Sequence, residues 1–224
     1  MRRFKTISII VVLALSFSIM LTGCSGGEKP AVAPAEPAAP ATKVTEEVER
    51  YTNDETKVVT LNGDLMALDT PVFLTSAGQS ADVSMLDALL KKVGSEFTYN
   101  ATAKTDELSG VKTIIIASGA SSKGLGAAGI SPDDEKARAT EILEYCKEND
   151  VTIIMAHLGG VSRRGQLSDE FADMVLEYTD GIIMVEDGND DGKFSDFAKE
   201  KNIPITLVKT IADCMEPLKI MFGK

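Results

Sequence analysis

Tryptophan is missing from this 224-residue chain, histidine occurs once, and aromatic residues make up only 5% of it. Stacking platforms for sugars or nucleobases therefore have little to be built from. Cysteine is also scarce: there are three, at 24, 146 and 214, and no CxxC pair. That excludes a zinc ribbon and a dithiol redox motif. Positive charge is in deficit, with 23 basic against 34 acidic residues and a net charge of −11. A phosphate backbone needs a basic surface, so nucleic acid is excluded as a partner. No apolar run reaches the ~20 residues a spanning helix needs. The longest, Ile7 to Met20, has 14.

That run does carry an address. It follows Arg2, Arg3 and Lys5 and precedes Leu21-Thr22-Gly23-Cys24. A basic start, a short apolar stretch and small residues before a cut describe an export signal. A cysteine directly after the small residues resembles the bacterial lipoprotein signal. By that resemblance residues 1–23 are removed, and Cys24 is lipidated as the new N-terminus. The mature chain is then expected at the extracytoplasmic face of a cell membrane, held by acyl chains. From Cys24 onward there are 20 basic and 34 acidic residues, a net of −14. An electrostatic grip on anionic lipid is therefore not expected to contribute.

Residues 24–56 read as a tether. Pro30, Pro34, Pro37 and Pro40 stand among alanines, a composition that favours extended chain without a core. Residues 57–224 read as one α/β domain. Val58-Val59-Thr60-Leu61 before Asn62-Gly63 suggests a small edge hairpin. Beyond Pro71, short continuous apolar runs alternate with amphipathic stretches. The runs are Val72–Thr75, Thr113–Ala117, Thr152–Ala156, Gly181–Val185 and Ile205–Val208, with a weaker Phe97-Thr98-Tyr99. Such runs fit strands covered on both faces. Helical stripes lie between them, as at Val83, Leu86, Leu89, Leu90 and Val93. Ser131-Pro132-Asp133-Asp134 is a helix start, and Ser168 is expected to cap the next. The alternation predicts a three-layer, doubly wound, mostly parallel sheet of flavodoxin-like or Rossmann-like type. Cys146 and Cys214 each sit on an apolar helical stripe and read as core residues; a disulfide between them is the alternative.

In such sheets, ligands gather at the carboxyl ends of the strands. Four loops rich in small or polar residues leave those ends. They contain Gly78, Gln79 and Ser80; Ser121, Ser122 and Lys123 in a glycine-rich segment; His157, Arg163 and Arg164; and Asp187 to Gly192. Lys123 with the two arginines suggests capture of a small anionic solute, with the polar residues and His157 orienting it. The arginines pairing with Asp187, Asp190 or Asp191 is the other reading. Gly124 to Gly129 matches GxGxxG, but it stands too far from its strand and precedes the Ser131 cap, so no dinucleotide or other cofactor is expected. No Walker loop or nucleophile elbow is present. Ser121 or Ser122 with His157 and Asp187 sketches a hydrolytic alternative. Asp187, Asn189 and Asp191 match the first half of a calcium loop, yet position twelve is Ala198. A helix-capping turn entering the helix near Phe194 is the other reading of those residues.

Leu74 to Ser80, Gly119 to Gly129, His157 to Gly160 with Arg163-Arg164-Gly165, and Gly188 to Gly192 together resemble an uncharacterised bacterial family of exported domains, domain of unknown function 6305. The resemblance covers about Pro71 to Phe222. It implies a three-layer α/β fold and assigns no activity. The expectation is a lipid-anchored binding domain serving a membrane transporter or sensor. A surface hydrolase using His157 and a protein-interaction module are the alternatives.

Overall fold

A computed structural model describes residues 57–224. The signal, Cys24 and the tether lie outside the described residues. Among the described residues seven strands form one sheet: β1 (Val58–Leu61), β2 (Val72–Ala77), β3 (Thr98–Tyr99), β4 (Thr113–Ser118), β5 (Thr152–His157), β6 (Gly181–Val185) and β7 (Ile205–Val208). Their spatial order is β1-β7-β6-β5-β4-β2-β3. All neighbours are parallel except β1, which runs antiparallel to β7. After β2 the chain steps out to β3, then returns across β2 to β4. That reversal is the flavodoxin-like switch point, and ligands in such folds sit at its carboxyl rim.

Among the described residues the α-helices are α1 (Asp82–Val93), α2 (Ser122–Ala128), α3 (Pro132–Glu148), α4 (Gln166–Leu176), α5 (Lys193–Lys201) and α6 (Met215–Met221). Period-two alternation splits the sheet's side chains between two cores. Ile114, Ile116, Ile153, Met155, Ile182 and Met184 meet α3, α4 and α5 on one face. Leu74, Ile115, Ile154, Ile183 and Val185 meet α1 and α6 on the other. Every residue of β2, β4 and β6 is buried, which is why these strands read as unbroken apolar runs rather than alternating ones. Cys146 and Cys214 are free, buried, and divided between the two cores. Burial raises both thiols to about 12.

Three local expectations need correction. Val58–Leu61 is a strand, but it pairs with Val208 to Ile205 instead of closing a hairpin at Asn62-Gly63. The glycine-rich segment after β4 is helical from Ser122, because Ser121 caps it by accepting from Gly124 N. Ser168 lies inside α4, whose N-cap is Gly165; its hydroxyl bonds the Ala120 backbone in both directions.

Candidate functional site

The rim at the carboxyl ends of the strands is built from two zipped pairs of loops. After β2 and β4, Gly119 N donates to Ala77 O and Ser121 N donates to Gly78 O, each at 3.0 Å. Gln79 and Ala120 form a one-residue antiparallel bridge. The approach demands glycine at 78: its φ is 101°, and a Cβ would lie 2.5 Å from Gly119 O. Gln79 itself is left-handed, at φ 55°. Its Nε2 donates to Ala101 O at 2.9 Å and to Glu135 Oε1 at 3.0 Å. Glu135 is fully buried and also accepts from Gly78 N, Arg138 Nε and Arg138 Nη2. The switch point is thus filled by backbone and a buried ion pair.

The second pair of loops follows β5 and β6. Asp187 Oδ1 accepts from Val161 N at 3.2 Å. A Cβ on Gly160 would collide with that carboxylate, and one on Gly188 would lie 3.2 Å from the Gly160 α-carbon. Arg164 clamps this pair. Its Nε donates to Asp169 at 2.8 Å, Nη2 to Asp191 at 2.7 Å, and Nη1 to Gly188 O at 2.6 Å. The guanidinium also stands 5.3 Å above the Phe194 ring. These bonds hold the Asp191 carboxyl at about 2.

Arg163 bridges the two pairs. Its stem lies over Gly119 and Gly159, where side chains would meet it. Its Nε donates 3.0 Å to Asp82 Oδ1, and Asp82 is fully buried at the start of α1. The other oxygen of Asp82 accepts from Gly159 N at 2.8 Å. Beyond that, Arg163 Nη1 reaches only the Ser162 carbonyl at 3.4 Å, and Nη2 makes no hydrogen bond among the described residues. Ser80 is buried beside this pair, its hydroxyl accepting from Asp82 N.

His157 is fully buried at the end of β5. Its Nε2 faces Arg163 O at 3.2 Å, while Nδ1 has no partner among the described residues. Phe194 packs 5.2 Å from it, and Gly188 roofs it. Burial lowers its pKa from the ordinary histidine value.

The rim therefore gathers Gly78, Gln79, Ser80, Arg163 and His157, but not as one cation cluster. Arg164 is spent on Asp169 and Asp191. Lys123 stands exposed in the first turn of α2. Ser121 caps that helix, Ser122 is exposed, and neither serine bonds His157. The hydrolytic grouping of these serines with His157 and Asp187 is not assembled. The calcium-loop residues are also turned elsewhere: Asn189 Oδ1 accepts from Phe194 N and Ser195 N, and Asp191 Oδ1 accepts from Lys193 N. They cap α5. Among the described residues no group of three metal-ligating acids, histidines or cysteines occurs.

Sequence reasoning missed Asp82, Glu135 and Arg138. The i,i+3 spacing of Glu135 and Arg138 was a usable signal. Asp82 offers no local signal beyond being an acid in the first turn of α1, because its partner is 81 residues away.

The model of one family, the domain of unknown function DUF6305, matches residues 69–222. The chain belongs to the DUF6305 family. That span takes in all four rim loops of this DUF6305 domain. No curated protein matches the chain. Among solved structures it is similar to a GDSL-like lipase from Bacteroides thetaiotaomicron (14% identity, 60% of this chain, 65% of that one, TM-score 0.28). It is also similar to a psychrotrophic esterase EstA from Pseudoalteromonas (9%, 67% and 93%, 0.31). A GDP-L-fucose synthetase from Naegleria fowleri gives 9%, 59% and 54%, and 0.32. Likeness this slight carries no argument about what the DUF6305 domain does.

Proposed function

We propose that the chain is a lipid-anchored, extracytoplasmic binding module whose rim takes a small anionic solute, as an accessory to a membrane transporter or sensor. The anchoring half of the reading rests on Leu21-Thr22-Gly23-Cys24. The binding half rests on Arg163. A guanidinium fixed through Nε to a buried carboxylate, on a half-buried side chain whose Nη2 bonds no described residue, is already oriented for an anion. Little side-chain freedom remains to be lost on capture. Lys123 adds an exposed charge at the same end of the sheet. Among the described residues no helix is long and apolar enough to cross a membrane.

One observation favours an interaction module as a second reading: Val161, at the tip of the same loop, is 60% exposed.

The test is thermal melting of the full chain in detergent micelles against carboxylates and inorganic phosphate. A ligand at a hundredfold excess over Kd stabilises by about 2.7 kcal/mol, which for a domain of this size is a rise of several degrees. The rise is expected to shrink in Lys123→Ala and to vanish in Arg163→Gln. An anion response that both variants keep, or none in the native chain, rejects the binding half. Labelled palmitate that still enters Cys24→Ser rejects the anchor.

A further inference from the structure

We propose that the Glu186–Gly192 turn is an acid-released lid over His157: protonating the imidazole lifts the turn and uncovers the ring and its neighbour Phe194. The imidazole is fully buried. An imidazolium is a donor at both nitrogens and needs two acceptors. Among the described residues only Nε2 has one, the Arg163 carbonyl at 3.2 Å; Nδ1 is buried with no partner among them. What covers Nδ1 is the Gly188 α-carbon, so close that a Cβ there would sit 3.2 Å from both Cε1 and Nδ1. Even an alanine methyl would press on the ring. A charged N–H trapped under that carbon is far costlier than a neutral ring. Lifting the turn brings water to it.

The surrounding groups do not offer a substitute acceptor. From α1, Asp82 favours the charged ring, but its oxygens are held by Gly159 N and Arg163 Nε. On the ring's own loop, Arg164 opposes a second positive charge. On the lid, Glu186 pairs with Lys209 and Asp187 accepts from Val161 N. Asp191 is bound to Arg164, and Asp190 is engaged within the fold. From α5 come the Phe194 ring and Lys193, which pairs with Asp173. From α4, Asp169 is taken by Arg164. Neighbouring strands contribute Met184 and, at the end of β4, Ser118, whose buried hydroxyl makes no bond to Nδ1 or to any other described residue and so does not serve as its acceptor.

The clamp itself does not titrate in the same range. Arg164 stays charged, and Asp191 lies at about 2, so mild acid does not titrate the clamp; lifting Gly188 off the charged ring breaks the Arg164 Nη1 bond to Gly188 O. Between pH 7 and 4 the trigger is then the imidazole, with Gly192, left-handed at φ 76°, as one pivot.

The experiment is hydrogen exchange on the full chain in micelles from pH 7.5 to 4, corrected for intrinsic rates, beside NMR titration of the one histidine. The imidazole is expected to titrate below about 6.5. Protection of residues 186–192 should fall about tenfold with the same midpoint. The β4 and β5 amides should keep their protection. His157→Gln is expected to flatten the response, and Asp187→Asn, which keeps the acceptor for Val161 N, to preserve it. An imidazole that titrates with the turn unmoved, separate midpoints, or an undiminished response in His157→Gln overturns the lid. Should His157→Gln fail to fold, the agreement or disagreement of midpoints in the native chain decides.

Discussion

At the scale of single residues, the rim is governed by two buried carboxylates, each tied to one arginine. Glu135 accepts from Gly78 N, Gln79 Nε2 and Arg138, so it holds the loop after β2 as well as the ion pair. Removing one partner of a buried pair leaves a charge without compensation. Glu135→Ala is expected to destabilise by about 3–5 kcal/mol, read by denaturant unfolding. Glu135→Gln, which retains an acceptor, should lose less. Equal losses in the two variants would mean that charge, not the acceptor, fixes the loop. Asp82 does for Arg163 what Glu135 does for Arg138, with the difference that the Arg163 side chain is more exposed and its Nη2 makes no hydrogen bond among the described residues. The thiols take no part in this: Cys146 and Cys214 lie in separate cores on either side of the sheet, so no disulfide joins them.

At the scale of elements, legibility follows from how local the cause is. The parallel strands were readable because burial on both faces leaves a continuous apolar run. The α3 start was readable because Ser131 caps Asp134 N three residues on. What escaped depended on distant partners. Val58–Leu61 found β7 across the sheet, Ser168 was claimed by Ala120, and the fate of Arg163 was decided by a carboxylate 81 positions earlier. The short α2 shows both kinds of cause at once. Two glycines would ordinarily weaken so short a helix, yet Gly124 is required because a Cβ there would strike the Gln79 carbonyl. Gly126 has nothing within 4 Å of its Cβ position. Gly126→Ala is therefore expected to stabilise by about 0.5–1 kcal/mol through helix propensity alone. Gly124→Ala gains the same propensity but overpacks a backbone contact, a loss of about 1–3 kcal/mol. Opposite signs in paired melting curves would confirm the contact; two stabilised variants would refute it.

At the scale of the whole molecule, charge and protonation pull stability in ways that salt can separate. The chain carries −11 overall, and net charge of one sign opposes compaction. The Debye length is about 30 Å at 0.01 M salt and about 8 Å at 0.15 M, so added salt screens repulsion across the entire domain. Exposed pairs such as Lys136–Glu170 weaken at the same time, but solvent screening leaves such pairs little to lose. Repulsion is the larger effect, and Tm at pH 7 is expected to rise with sodium chloride. His157 acts in the other variable. Burial depresses its folded pKa, so its contribution is complete above the unfolded value of about 6.5 and is lost as pH falls through the folded one. In 0.15 M salt, where protonating surface carboxylates relieves little repulsion, Tm should therefore decline from pH 7 toward pH 5. In 0.01 M salt the relief of repulsion offsets that decline. A Tm that falls with salt at pH 7 would show that local ion pairs, and not net charge, dominate this surface.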